Sequence, residues 1–157
     1  MRLRAQLPPD REAEGRFWVL DDAGGVLFGP VRCRGEADDA KERAEGTRDD
    51  DGTGSFGDHP FGEYRVTAIE QSKQPARSYG PFFLRLFPIG GEAKAAWEAG
   101  RRGLGIHGGD LRPGGNLRPT YGCLRLDNET LEVAAKAVAA EFAAGRVVNY
   151  DCIPLVP

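Results

Sequence analysis

Two residues in the stretch GLGIHGGDLRPGGNLRPTYGCLRL (Gly103–Leu126) have side chains that could do covalent chemistry together, His107 and Cys123. A thiol becomes a strong nucleophile as the thiolate, and a neighbouring imidazole can take its proton. The imidazole then needs an acceptor on its other nitrogen to hold the useful tautomer. Glycines beside both residues suit such a site: Gly108 and Gly109 let backbone carbonyls approach the ring, and Gly122 lets a substrate carbonyl approach the sulfur. In a tight turn at Tyr121, Gly122 and Cys123, adjacent backbone N–H groups could point at one spot and form an oxyanion hole. The same two residues also have a plain structural reading. Cys123 would be a small buried hydrophobe at the start of a strand, and His107 a turn residue. Taken one at a time, the residues leave both readings open.

The rest of the chain offers few competing centres. Cys33, Cys123 and Cys152 cannot all pair with one another and none stands in a CxxC motif, so neither a disulfide framework nor a cysteine-based zinc site is expected. Cys33 and Cys152 have no partner motif and read as structural, and His59 reads as a turn residue. No spacing of His, Cys, Asp or Glu supports a metal site, and no cofactor is predicted. Trp97 reads as a core residue, its alternative being to line the cleft.

These residues must be positioned by short elements. RFWVLDDAGGVLFGPV (residues 16–31) reads as a β-hairpin turning at Asp21–Gly25. The acidic stretch 35–57 reads as a solvated, mobile loop with room for a short helix near Ala37–Ala44. GEYRVTAIEQ (Gly62–Gln71) predicts a strand with Tyr64, Val66, Ala68 and Glu70 on one side, and FFLRLFPI (Phe82–Ile89) a buried one. A short helix is expected over Gly91–Gly100, then strands at Leu104–Gly108 and Cys123–Leu126. Asp127 or Asn128 can cap a helix over about 128–144, where Leu131, Ala134, Ala135, Val138 and Phe142 share a face; Gly145 stops it. Val147–Val156 is a closing strand, and residues 1–15 read as a tail. The sum is a mainly β barrel or sandwich with one prominent helix in the C-terminal half.

At 157 residues the chain suits a single domain spanning 1–157. A net charge of −3 with Lys and Arg scattered among acids gives no basic face, so nucleic acid is not an expected partner. No stretch approaches the ~20 apolar residues that a transmembrane helix needs. The opening MRLRAQLPPDREAEGR has basic residues without an apolar run behind them, so no secretory signal is read there.

Taken as one spaced unit, the opening stretch resembles a known signature. Ile106-His107-Gly108, then Thr120-Tyr121-Gly122-Cys123-Leu124-Arg125-Leu126, then Asn128, is similar to the pattern of the L,D-transpeptidase (YkuD-type) catalytic domain. That pattern is Ile-His-Gly, a loop, then Ser/Thr-x-Gly-Cys-apolar-Arg with an Asn soon after. HPFGEYRV (His59–Val66) resembles the Thr-Pro-x-Gly-x-Tyr/Phe stretch that leads into a strand of the same domain, with His59 where Thr is usual. The likeness covers residues 16–156, and its specificity rests on 106–128.

The resemblance implies that Cys123 is the nucleophile and His107 the general base, later the acid, with the carbonyl of Gly108 (or Gly109 in a shifted turn) as third partner. Thr120 would hydrogen-bond within the nucleophile loop. Arg125 would order that loop or bind a substrate carboxylate or carbonyl, its alternative being an ion pair with Asp110 or Asp127. The position before Gly122 is often His in the family and is Tyr121 here, which leaves His107 as the one base in the motif and lets Tyr121 line a pocket. Arg112 and Arg118, in the loop between the pair, could bind the free carboxylates of peptidoglycan stem peptides, or could be solvated loop charges. The implied activity is L,D-transpeptidation or L,D-carboxypeptidation through a Cys thioester, in the bacterial cell envelope. With no signal read, the expectation is either a chain trimmed of its leader or an antibacterial effector exported by a secretion machine such as the type VI system. An effector would have an immunity protein or secretion partner. The alternatives are a non-catalytic peptidoglycan- or peptide-binding module on the same fold, and a cysteine hydrolase of an unrelated peptide.

Overall fold

Period-two alternation of apolar and polar residues builds most of the molecule. The computed structural model describes residues 1–37, 57–71 and 75–156. The first strand is β1 (Arg2–Leu7), and the expected hairpin forms as β2 (Gly15–Leu20) and β3 (Val26–Cys33). The hairpin's turn is held by Asp21, whose Oδ1 accepts from Ala23 N at 2.9 Å and Gly25 N at 2.7 Å. There follow β4 (Gly62–Gln71), a one-turn α1 (Ala76–Tyr79), β5 (Phe82–Gly90), α2 (Gly91–Glu98), β6 (Gly105–His107), β7 (Leu124–Arg125), α3 (Asn128–Ala143) and β8 (Val148–Pro154). The helix expected near 37–44 and most of the loop expected over 35–57 lie outside the described residues; at its ends, Gly35–Ala37 and Gly57 are buried.

Among the described residues the eight strands form one sheet in the order β3-β2-β1-β8-β4-β5-β6-β7. Its two edges meet. Arg34, just after β3, exchanges backbone hydrogen bonds with Arg125 of β7 at 2.9 and 2.8 Å. The sheet is therefore a nearly closed barrel, which leaves little unpaired edge. The structure is mainly β, as expected.

One expectation is overturned. Residues 2–7 are not a tail: β1 lies between β2, antiparallel, and β8, parallel. Leu3, Ala5 and Leu7 are fully buried. Arg2, Arg4 and Gln6 alternate with them, and Arg4 Nη2 reaches Asp151 Oδ2 at 2.8 Å. The charge that suggested a solvated end is the outer face of a strand.

The inner face of the barrel carries the core. Leu3, Phe17, Val19, Tyr64, Val66, Leu84, Leu86, Ile106, Leu124, Val148 and Tyr150 alternate inward, and burying side chains of this size contributes about 1.5–3 kcal/mol each. Helix α3 packs against β4, β5, β6 and β8 through Leu131, Ala134, Ala135 and Val138. Asp127 caps it, accepting from Thr130 N at 2.8 Å. Trp97 is not core: half-buried on α2, it meets Phe87 edge-on at 5.1 Å and lies under Arg102 at 3.8 Å.

Candidate active site

Strands β6 and β7 run parallel, with Ile106 beside Leu124 and His107 beside Arg125. Ile106, Leu124 and Leu126 point into the core. Alternation then puts His107 and Arg125 on the opposite face of these neighbouring strands, and Cys123 stands in the bend just before β7. Cys123 is half-buried, and its sulfur lies 3.5 Å from the Gly103 carbonyl.

The His107 ring is held on three sides. Phe83, registered opposite it on β5, stacks at 5.9 Å, and Tyr79 at the end of α1 meets it at 5.0 Å. Nδ1 lies 2.9 Å from the Gly108 carbonyl. A carbonyl oxygen only accepts, so Nδ1 carries a proton, and in the neutral ring Nε2 is then the accepting nitrogen. The turn that brings this carbonyl round is tied to its neighbours: Gly108 N donates to Tyr79 O at 2.9 Å and Gly109 N to Asn128 Oδ1 at 2.9 Å. A Cβ at Gly108 would collide with Asn128 Oδ1 and so displace the side chain that holds Gly109 N.

The loop before Cys123 is fixed by side chains on both backbone polar groups of Gly122. Thr120 Oγ1 accepts from Gly122 N at 2.9 Å and donates to Cys123 O at 2.7 Å. The Gly122 carbonyl accepts from His59 Nδ1 at 2.9 Å. Gly122 has φ of +114°, and a Cβ there would collide with the guanidinium of Arg101 and stand 2.7 Å from Gly57 O. Because its N–H is engaged by Thr120, Gly122 is not a free oxyanion donor. The expected set of Tyr121, Gly122 and Cys123 therefore loses Gly122.

The arginines separate by depth. Arg125 is 2% exposed; it donates through Nη1 to the same Gly108 carbonyl that His107 uses, and through Nη2 to Pro119 O at 3.4 Å. Among the described residues it makes no ion pair: Asp127 lies 3.6 Å from Arg32 instead. Burial, with the charge of Arg118 adding to it, lowers the Arg125 pKa to about 10, so it stays a cation at neutral pH. It orders the site from beneath. Arg118 is half-buried, donating to Arg77 O at 3.2 Å, while Arg112 and Tyr121 are exposed.

Three contributors escaped the sequence reading. His59 is not a surface turn residue but fully buried, stacked on Tyr64 at 5.4 Å, with Nε2 3.1 Å from the Tyr150 hydroxyl. Burial, helped by the charges of Arg101 and Arg11, holds its pKa down to about 3, so it is neutral. Arg101, 3% exposed, donates to Asp58 O at 3.1 Å and wedges against Gly122. Tyr79 closes over His107 from a helix too short to show periodicity. The one available signal was His59 standing where the resembled pattern has Thr.

Cys33 and Cys152 are buried free thiols; burial raises the pKa of both, Cys152 to about 12. Among the described residues no group of three or more His, Cys, Asp or Glu side chains is arranged to hold a metal ion, and no helix is long and apolar enough to cross a membrane. No protein-family model and no curated protein matches the chain.

Proposed function

We propose that this chain is a cysteine acyltransferase of the L,D-transpeptidase type, acting on peptidoglycan stem peptides in the bacterial cell envelope. The observation that carries the reading is the bond from His107 Nδ1 to the Gly108 carbonyl at 2.9 Å, which suits Nε2 to accept a proton, on a strand paired with the one that Cys123 leads into. In this reading His107 Nε2 takes the Cys123 proton and the thiolate attacks the carbonyl on the C-terminal side of a diamino acid residue. An S–C bond forms, and the negative charge moves to the carbonyl oxygen, where in this reading the backbone N–H of Cys123, with that of Tyr121, would donate to it. The C–N bond then breaks, and the proton on Nε2 passes to the departing D-amino acid amine. The thioester is resolved by an amine of another stem or by water, deprotonated in turn by His107, which regenerates the thiol. In this reading the exposed Arg112 and Tyr121 and the half-buried Arg118 would meet a stem-peptide carboxylate. The antibacterial-effector role is compatible with this chemistry and separate from it.

The test is intact-mass analysis after exposure to a carbapenem, beside turnover of a stem tetrapeptide, for the wild type and Cys123→Ala. An adduct and turnover in the wild type alone are expected. Their absence from the wild type would point to a peptide-binding module instead.

A further inference from the structure

We propose that His59 is a positioning residue for the oxyanion site, working through the peptide bond between Gly122 and Cys123; the inference rests on the acyltransferase reading above. A peptide unit is planar, and only Gly29–Pro30 among the described residues is cis, so the Gly122 C=O and the Cys123 N–H point in opposite directions. His59 is fully buried against the core residues Tyr64 and Tyr150, and its Nδ1 holds the Gly122 oxygen at 2.9 Å. Anchoring that oxygen inward turns the Cys123 N–H away from the core. An oxyanion donor has to be aimed in this way before substrate arrives, because its benefit comes from needing no rearrangement in the transition state.

The imidazole is fixed as firmly as the peptide it holds. The Gly122 carbonyl can only accept, so His59 carries its proton on Nδ1, and Nε2 accepts from the Tyr150 hydroxyl at 3.1 Å. Its low pKa keeps this ring from ionising, so it is not a second base. Thr120 secures the other end of Gly122 by accepting from its N–H. Two side chains from distant parts of the chain thus set the orientation of the peptide beside the nucleophile.

Two reagents on the same thiol separate this role from others. Iodoacetamide alkylates Cys123 by displacement at a saturated carbon, where no oxyanion forms; a carbapenem acylates it through a tetrahedral oxyanion. His59→Leu removes the donor, and His59→Asn keeps an N–H at a similar reach. Acylation by carbapenem should slow about 100-fold in His59→Leu and recover most of the loss in His59→Asn. The alkylation rate and its pH profile should match wild type in both. Tyr150→Phe is the second variant should His59→Leu fail to fold. It keeps the ring while removing the donor that orients the imidazole, and a several-fold slowing of acylation alone is expected. Equal loss in both reactions, or unchanged acylation in the folded variants, overturns the proposal. A wild type that is alkylated but never acylated overturns the acyltransferase reading, and this inference with it.

Discussion

His107 and Arg125 share one acceptor: the imidazole Nδ1 and the guanidinium Nη1 both reach the carbonyl oxygen of Gly108. The two residues are registered neighbours on β6 and β7, so strand pairing alone brings them to that oxygen. The carbonyl has two lone pairs and can serve both donors. Arg125 thereby fixes the partner of the proposed base from beneath without facing substrate. Arg125→Met should lower kcat about 10- to 100-fold with KM within about twofold, as expected of an interaction lost from the transition state only. Stability should fall by about 1.5–3 kcal/mol for the lost charge-assisted hydrogen bonds. Steady-state kinetics with urea unfolding measures both, and a rise in KM alone would mean that Arg125 binds substrate.

The buried, neutral state of His59 has a consequence for acid stability. Its pKa is near 3 when folded and near 6.5 in an unfolded chain. Between these values the unfolded chain binds a proton that the folded one refuses. Stability therefore falls as pH drops from about 6.5 towards 3, by at most about 1.4 kcal/mol per pH unit. Above pH 6.5 this contribution is complete and flat. His59→Asn has no such group, so the difference between its urea midpoints and those of wild type should narrow as the solution is acidified. A constant difference from pH 7 to pH 4 would contradict a buried neutral imidazole.

Gly122 and Gly114 both have positive φ, +114° and +95°, but a Cβ at Gly114 would meet nothing within 4 Å. The pair separates backbone strain from collision. Gly114→Ala should cost about 1–2 kcal/mol, the ordinary penalty for a side chain in that backbone region. Gly122→Ala adds a clash with Arg101 and with Gly57 O, and displaces the peptide that carries the Cys123 N–H. It should cost more than 3 kcal/mol and abolish acylation of Cys123, read by thermal melting and intact mass.

How much of this was legible in the sequence depends on how far away each residue's partners lie. Strands β2, β4, β5 and β8 and helix α3 announce themselves because their apolar period is local. His107, Cys123 and the glycines beside them stand out because the chemistry needs them within one short stretch. His59 could not be placed, since its hydrogen-bond partners Gly122 and Tyr150 lie 63 and 91 positions away. Arg101 and Arg102 are adjacent and alike in type, yet Arg101 is buried against Gly122 while Arg102 covers Trp97. Closure of the barrel, from Arg34 to Arg125, depends on a contact between β3 and β7 that no local pattern encodes.

Strand β1 shows the same limit and supplies a direct test. Its alternation, Leu3, Ala5 and Leu7 against Arg2, Arg4 and Gln6, is a strand pattern hidden beneath charge. Were residues 1–15 a tail, substitutions there would be silent. Leu3 is fully buried, so Leu3→Ala should destabilise by about 2–5 kcal/mol through lost burial and the cavity left behind. Arg4→Ala, removing a partly exposed pair with Asp151, should cost no more than about 1 kcal/mol. Because β8 pairs on its other side with β4, and His59 bonds to Tyr150 of β8, loosening β1 should also be felt at the candidate site. Near the melting midpoint, Leu3→Ala should therefore lose carbapenem acylation in step with its folded fraction, followed by intact mass and circular dichroism on the same samples. Equal melting of Leu3→Ala and wild type would return these residues to the status of a tail.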